Sequence, residues 1–483
     1  MSAMPYVLQT ACVVLAAVLA IGDAFAAGPD AWTQFRGANA AGHGRSATSL
    51  PNQIGPDKNV LWKVSVPPGH SSPIVIGDHV VLTAVSKSRL VTMTLDRNSG
   101  RLLWTQEAPH AELETIHRIG SHAQPSPAAH GGRIVSFFGS AGLFCYDLQG
   151  RLLWQRRMGP YSNTYGAACS PIIVDGRVIL NQDHDIDSHL LAVDLETGRT
   201  AWRTDRSEFP RGYCTPIVWD NGKSKQVIVV GALRVIGYDA ATGREVWTVR
   251  GLARISNQTP VLGDNDMLYI TEWAPGGDAT DRISAEPWKV MVERLDQNGT
   301  QALEVSELPN GPLKARFPQI DRDKDEKIVE AEYVWMREIF NTAQNAAVAI
   351  KLGGRGDVTD THVVWRERKY LPYVPSPLYA NGFLLTVKDG GIVVTRDALT
   401  GQTVKRGRVP HTSAYYSSPV AGDGRVFLLS QRGGLTVLSQ QANWSVLATA
   451  DFAEEAYATP AIVEGRIYLR TTGHLYCIGH AGR

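Results

Sequence analysis

Apolar and polar positions along this chain recur in blocks. A Ser-Pro or Thr-Pro step precedes a short apolar run, a tight turn follows, and a second apolar run comes next. The stretch SPIIVDGRVILNQ, 170–182, shows the pattern. The step occurs at Ser72-Pro73, Ser126-Pro127, Ser170-Pro171, Thr215-Pro216, Thr259-Pro260, Ser376-Pro377, Ser418-Pro419 and Thr459-Pro460. Successive steps lie 54, 44, 45, 44, 117, 42 and 41 residues apart. Gly and Asn between runs rich in Val, Ile and Leu supply the positive φ of tight hairpins. A third run follows, as in LLAVDLETGRTAW, 190–202, and a Trp opens a fourth. Asp194, Gly198 and Trp202 share their spacing with Asp96, Gly100, Trp104 and with Asp239, Gly243, Trp247. Asp147, Gly150 and Trp154 form a version one residue shorter.

Each block therefore predicts four antiparallel strands in about 45 residues. Such a unit cannot bury both its faces alone, so units must stack. Eight steps predict an all-β chain, an eight-bladed β-propeller of four-stranded blades. The last block ends after its third strand. NVLWKVSV at 59–66, which carries Trp62, is an orphan strand placed to complete it and close the ring. Closure removes free sheet edges. Blade six has Lys405 where Trp is expected, and blade five takes Trp365. The other Gly+4 tryptophans are expected to dock between blades. Residues 58–275 and 356–483 read as propeller, 27–57 as a lead-in and 276–355 as an insertion.

The insertion changes character. DRDKDEKIVEAE, 321–332, follows the EF-hand pattern. Asp321, Asp323 and Asp325 fall at positions 1, 3 and 5, Lys327 offers its carbonyl at position 7, and Glu332 is the bidentate ligand at position 12. Hard oxygen donors at this spacing suit calcium. Glu326 stands where glycine gives the turn, and Val329 offers no oxygen at position 9, so the expected affinity is weak, about millimolar. A helix is expected to follow, with Met336, Phe340, Ala343, Ala347 and Ile350 on one stripe. PLKARFPQI before the loop reads as a short helix. The sequence reads as one EF-hand, unpaired within the chain.

Composition narrows the function classes. A formal net charge of +1 over 483 residues leaves no basic footprint for nucleic acid. The apolar run Tyr6 to Ile21, followed by Ala24-Phe25-Ala26, reads as a signal peptide over 1–26, so the protein is expected to be periplasmic or secreted. No other segment reads as a membrane span. Four cysteines remain after cleavage: Cys145, Cys169, Cys214 and Cys477. Cys169 and Cys214 hold the same place in consecutive blades, where a disulfide and apolar packing are both open. Cys145 and Cys477 are expected as buried thiols. No HExxH, Gly-x-Ser-x-Gly or P-loop is present.

Two further clusters carry candidate chemistry. Asp183, Asp185 and Asp187, with His184 and His189, suit either a second metal site or a polar hairpin. Residues just before the Ser/Thr-Pro steps should ring one mouth of the channel: His70, Gln124, Tyr213, Asn257, Tyr373, Tyr416 and Tyr457. They form a hydrogen-bonding aromatic rim suited to a ligand or peptide.

AVDLETGRTAW, 192–202, and GYDAATGREVW, 237–247, resemble the tryptophan-docking repeat of pyrroloquinoline quinone (PQQ)-type propellers, and WTQFRG, 32–37, resembles the start of exported bacterial members. That family includes quinoprotein alcohol dehydrogenases and the propeller lipoprotein of the outer-membrane assembly machine. The resemblance implies the fold more strongly than the chemistry. Its enzymes use an adjacent Cys-Cys ring, a Trp floor, calcium held by Glu and Asn, and a catalytic Asp. Here no cysteines are adjacent. Asn257 has a suitable channel position, without a matching Glu or Asp, so PQQ is not expected. The sequence reads as a non-catalytic exported scaffold for a protein, peptide or glycan partner, braced by calcium. The alternative is a divergent PQQ- and calcium-dependent alcohol or sugar dehydrogenase.

Overall fold

The computed structural model describes residues 31–44, 48–278, 280–282 and 285–481. The expected signal peptide lies outside them. Eight antiparallel sheets form a closed ring of blades. The first blade runs Ile74–Ile76, His79–Ser86, Arg89–Asp96 and Leu102–Ala108, from the axis outward. The others repeat it. In the last, Val60–Ser65 pairs antiparallel with His474–Ile478, placing Trp62 opposite Cys477. The two ends of the chain thus close the ring, as the orphan strand predicted.

Burial follows position in the blade. Second and third strands are sandwiched between neighbouring blades and are buried almost throughout, as in Arg425–Leu429 and Gly434–Ser439. Outermost strands such as Val446–Asp451 alternate with solvent. The core is therefore a set of inter-blade layers.

Two repeated contacts lock those layers. Indole Nε1 of Trp62, Trp104, Trp154, Trp202 and Trp365 donates to a carbonyl of the next blade, at Arg97, Leu148, Leu195, Ala240 and Ala398, over 2.8–3.1 Å. Each ring lies flat on the next blade's turn glycine: at Gly198, with φ +69°, an added Cβ would sit 2.7 Å from Trp154. Nearer the axis, seven of the eight Ser/Thr hydroxyls of the Ser/Thr-Pro steps accept the backbone N–H of their counterpart in the preceding blade. These bonds run from Ser72 to Ser126, Ser126 to Ser170, Ser170 to Thr215, Thr259 to Ser376, Ser376 to Ser418, Ser418 to Thr459 and Thr459 to Ser72, at 2.9–3.1 Å. The hydroxyl is what the step needs, because it supplies a buried acceptor across these joints.

Trp247 departs from the docking pattern. It turns into its own blade, against Gly237, and donates to Gln226 Oε1 at 2.7 Å. Gly356–Asp357, pairing parallel with its strand, covers it instead of a neighbouring blade's turn. At the joint of blades six and seven, Lys405 takes the missing tryptophan's place. Its ammonium lies 4.5 Å from the Trp444 ring centroid and donates to the Trp444 carbonyl.

The insertion leaves blade five between its second strand, Met267–Glu272, and its third, Ala346–Lys351. The expected helix is Glu330–Thr342 and ends there. Ala347 and Ile350 belong to the third blade strand, not to the helical stripe. That strand is buried through Ile350, and a short apolar run reads alike as helix or as two-faced strand.

The lead-in is a plug. Trp32 exchanges both backbone hydrogen bonds with Val75 of blade one. The Asn39 side chain bonds both backbone groups of Val218 in blade four, at 2.8 Å each. Ala421 of blade seven is paired by Gly42 and Gly44. Arg36 is fully buried and donates to the Pro377 carbonyl at 2.8 Å. Residues 32–44 therefore cross the ends of the innermost strands and close one end of the channel.

Candidate functional site

With that end closed, the channel becomes a blind cavity of about 280 Å³. Its floor is the Ser/Thr ring and Phe35 from the plug; its wall contains His70, Gln124, Tyr213, Asn257, Tyr373, Tyr416 and Tyr457. All seven rim residues read from the sequence meet there. The repeat puts them together: the chain enters each innermost strand from the same mouth, just before the Ser/Thr-Pro step. Reading along the repeat missed Phe35, His117 and Tyr165, which also line the cavity. His117 and Tyr165 lie in connections between blades, where the period gives no register. Phe35 carried a signal in WTQFRG.

The wall is held by its own contacts. His70 stacks on Tyr457 with centroids 4.1 Å apart, and Tyr416 lies 5.3 Å from Tyr457. Asn257 Nδ2 donates to the Tyr373 carbonyl at 3.1 Å, and Gln124 Nε2 to that of Tyr165 at 2.5 Å. Burial, then the nearby Arg470, pushes the His70 imidazole down to about 4, so it is neutral at pH 7. Burial raises the phenols of Tyr213, Tyr373, Tyr416 and Tyr457, keeping them as O–H donors. The lining is thus aromatic and hydrogen-bonding, and among the described residues it holds no Asp, Glu, Lys or Arg. Glu272, 1% exposed, lies behind Asn257, accepts from Ser256 Oγ at 2.9 Å and is raised well above the carboxyl range by burial.

The aspartates of 183–187 do not converge on a metal. Asp183 is clamped by Arg206 at 2.7 Å through both oxygens, and Asp185 by Arg211 at 2.7 and 2.6 Å. Asp187 takes Arg203 at 2.5 Å, and His189 Nδ1 lies on its carbonyl at 2.7 Å. His184 stacks on Tyr161 at 4.0 Å. The polar-hairpin reading holds: Asp183 and Asp185 each spend both oxygens on a buried arginine, and Asp187 is paired with a third. The four cysteines among the described residues are buried and free, so Cys169 and Cys214 pack without a disulfide.

In the insertion, carboxylate oxygens of Asp321, Asp323 and Asp325 lie within 4.8 Å of one another, the only such acid, His or Cys group among the described residues. Lys327 stands beside them, its N–H on Asp325 Oδ1 at 2.9 Å. Glu332 folds back into the loop and accepts the N–H groups of Arg322 at 2.6 Å and Val329 at 3.1 Å. Glu326 holds φ +67°, the left-handed turn glycine was wanted for. The loop is not alone. Lys327–Ile328 pairs with Leu303–Glu304 in a two-stranded ladder, so the segment around Leu303 faces it.

The sequence profile described as outer membrane protein assembly factor BamB matches residues 53–160 and 91–273. The crystal structure of BamB from Moraxella catarrhalis has a TM-score of 0.52 at 14% identity, covering 87% of this chain and 99% of that one. A europium-containing methanol dehydrogenase has a TM-score of 0.54 at 12% identity, covering 94% and 98%. The fold is that of the PQQ-like propellers. Among curated proteins, this chain is 28% identical to the quinohemoprotein alcohol dehydrogenase of Comamonas testosteroni over 125 residues, 22% of this chain and 17% of the relative. It is 25% identical to methanol dehydrogenase [cytochrome c] subunit 1 of Methylobacterium organophilum over 166 residues, 30% of this chain and 26% of the relative. The matched stretches span about a quarter or less of those relatives. No helix among the described residues is long and apolar enough to cross a membrane.

Proposed function

We propose that this PQQ-like propeller is an exported, periplasmic or secreted, non-catalytic binding scaffold that seats part of a protein, peptide or glycan partner in the blind funnel. One observation carries the reading: a cavity of about 280 Å³, closed behind by residues 32–44 and walled by tyrosine, histidine and amide groups. Aromatic faces and uncharged donors bind extended polar chains without shifting their charge. The match to an assembly-factor family supports a protein partner.

A second reading is a PQQ- and calcium-dependent alcohol or sugar dehydrogenase, which draws on the two dehydrogenases matched in sequence. The lining does not suit a quinone–calcium pair. Calcium takes several oxygen ligands, carboxylates prominent among them, and none of the described residues lining this cavity is Asp or Glu. The test has two arms. Peptide and oligosaccharide libraries are screened against the full chain and against Tyr373→Ala/Tyr416→Ala. Binding weakened at least tenfold in the variant supports the scaffold. Reconstitution with PQQ and calcium is followed by quinone absorbance and alcohol-dependent dye reduction; turnover there sinks it.

A further inference from the structure

We propose that the insertion is a two-site calcium lobe, in which the loop 321–332 is coupled to a second twelve-residue loop, 296–307. This inference does not depend on what the funnel binds. Counted from Asp296, the second loop places Asp296, Asn298 and Thr300 at positions 1, 3 and 5, the Ala302 carbonyl at 7, Glu304 at 9 and Glu307 at 12. Asp321, Asp323, Asp325, Lys327, Val329 and Glu332 hold the same places in the first.

The two loops match in structure as well as in spacing. Glu307 accepts the N–H of Gln297, at position 2, and of Glu304, at position 9, both at 2.9 Å. Glu332 accepts the N–H of Arg322 and Val329, also positions 2 and 9. The sixth residues, Gln301 at φ +61° and Glu326 at φ +67°, share the left-handed turn. The eighth residues, Leu303 and Ile328, are ladder partners. One helix, Trp288–Leu295, leads into Asp296, and the turn Phe317–Ile320 leads into Asp321. Met291, Leu303, Ile320, Ile328, Met336 and Phe340 pack into one core beneath both loops.

The pointer to a ligand is at Asp321. It is 6% exposed, and its Oδ1 has no hydrogen-bond partner, although that carboxylate belongs to the converging group with Asp323 and Asp325. A buried carboxylate oxygen without a donor is costly, and a divalent cation supplies the missing charge. The ladder joins Leu303 to Ile328 and Glu304 to Lys327, so the position-7 residue Lys327 lies in it and Ala302 directly precedes it. Filling one loop therefore steadies the strand that the other loop shares with it. Loop 296–307 has fewer acids at positions 1, 3 and 5, but its Glu304 supplies the position-9 oxygen that Val329 withholds.

The test uses the full chain stripped of divalent ions and titrated with calcium chloride in a calorimeter. Wild type is expected to take two ions. Asp323→Asn/Asp325→Asn changes two exposed side chains, keeps their acceptor oxygens and should leave one ion. Glu307→Gln should also leave one, and bind it at least threefold more weakly than wild type. Calcium-free circular dichroism matching wild type shows that a variant folds. A wild type that takes one ion or none overturns the proposal. So does a folded Glu307→Gln whose isotherm equals the wild type's.

Discussion

Gly198→Ala and Gly176→Ala isolate what tryptophan docking contributes. Both glycines sit in hairpin turns of blade three at nearly the same φ, +69° and +68°. A methyl at Gly176 meets nothing within 4 Å, whereas one at Gly198 would lie 2.7 Å from Trp154 Cε3 and 2.8 Å from Cδ2. The left-handed conformation costs alanine about 1–2 kcal/mol, and the stiffer unfolded chain returns about 0.5. Gly176→Ala should therefore cost about 1 kcal/mol. At Gly198 the indole cannot retreat freely. Trp154 is 9% exposed and held by a 2.8 Å bond to the Leu195 carbonyl. Overpacking adds about 1–3 kcal/mol, for a total of about 2–4. Urea unfolding followed by tryptophan fluorescence measures both. The excess at Gly198 should also shrink when Trp154→Ala is added, as coupling between contacting residues requires. Equal losses for the two alanines, within about 0.5 kcal/mol, would refute the docking argument.

Three further outcomes are expected. Thr459→Val keeps the shape but removes the acceptor for the Ser418 N–H, so it should cost about 1–3 kcal/mol in thermal unfolding; a neutral result would remove the hydroxyl ring from the account. Trp62→Ala should cost about 3–5 kcal/mol and loosen the closing strand, seen as faster amide exchange in Val60–Ser65 and His474–Ile478; unchanged exchange there argues against ring closure by this contact. The third concerns acid. Burial, then His189, lowers buried His184 to about 3, whereas the unfolded imidazole protonates at about 6.5. Its contribution is whole above pH 6.5 and falls by up to about 1.4 kcal/mol per unit as pH drops from there toward 3. His184→Gln should flatten that limb of the stability profile, and an unchanged slope would assign it to other groups.

The funnel was largely legible because a repeat carries position as well as type. Once Ser170-Pro171 and Tyr213 were in register with their counterparts, one strand direction put all such residues at one mouth. The acidic hairpin misled for the opposite reason. Asp183 and Asp185 look like ligands until Arg206 and Arg211, more than twenty residues on, reach back and neutralise them. The second loop escaped notice because Asn298 and Thr300 replace the aspartates that make 321–332 conspicuous. Asp296, Leu303 and Glu307 at positions 1, 8 and 12 were the remaining signal.

By itself the sequence determined the blade, the number of blades, the closing strand and the docking glycines, with Trp247 the exception. These rest on turn chemistry and alternation within about 45 residues, and the repetition averages out local ambiguity. The tertiary structure decided the rest. Residues 32–44 have no period, and their partners lie up to 383 residues away, so only the assembled ring could show them closing the channel. Ala346–Lys351 is strand rather than helix because blade five needs a third strand buried on both faces. The ladder between Leu303 and Ile328 forms because a common core beneath the loops brings them together. In each case a local pattern permitted several outcomes, and burial against distant residues selected one.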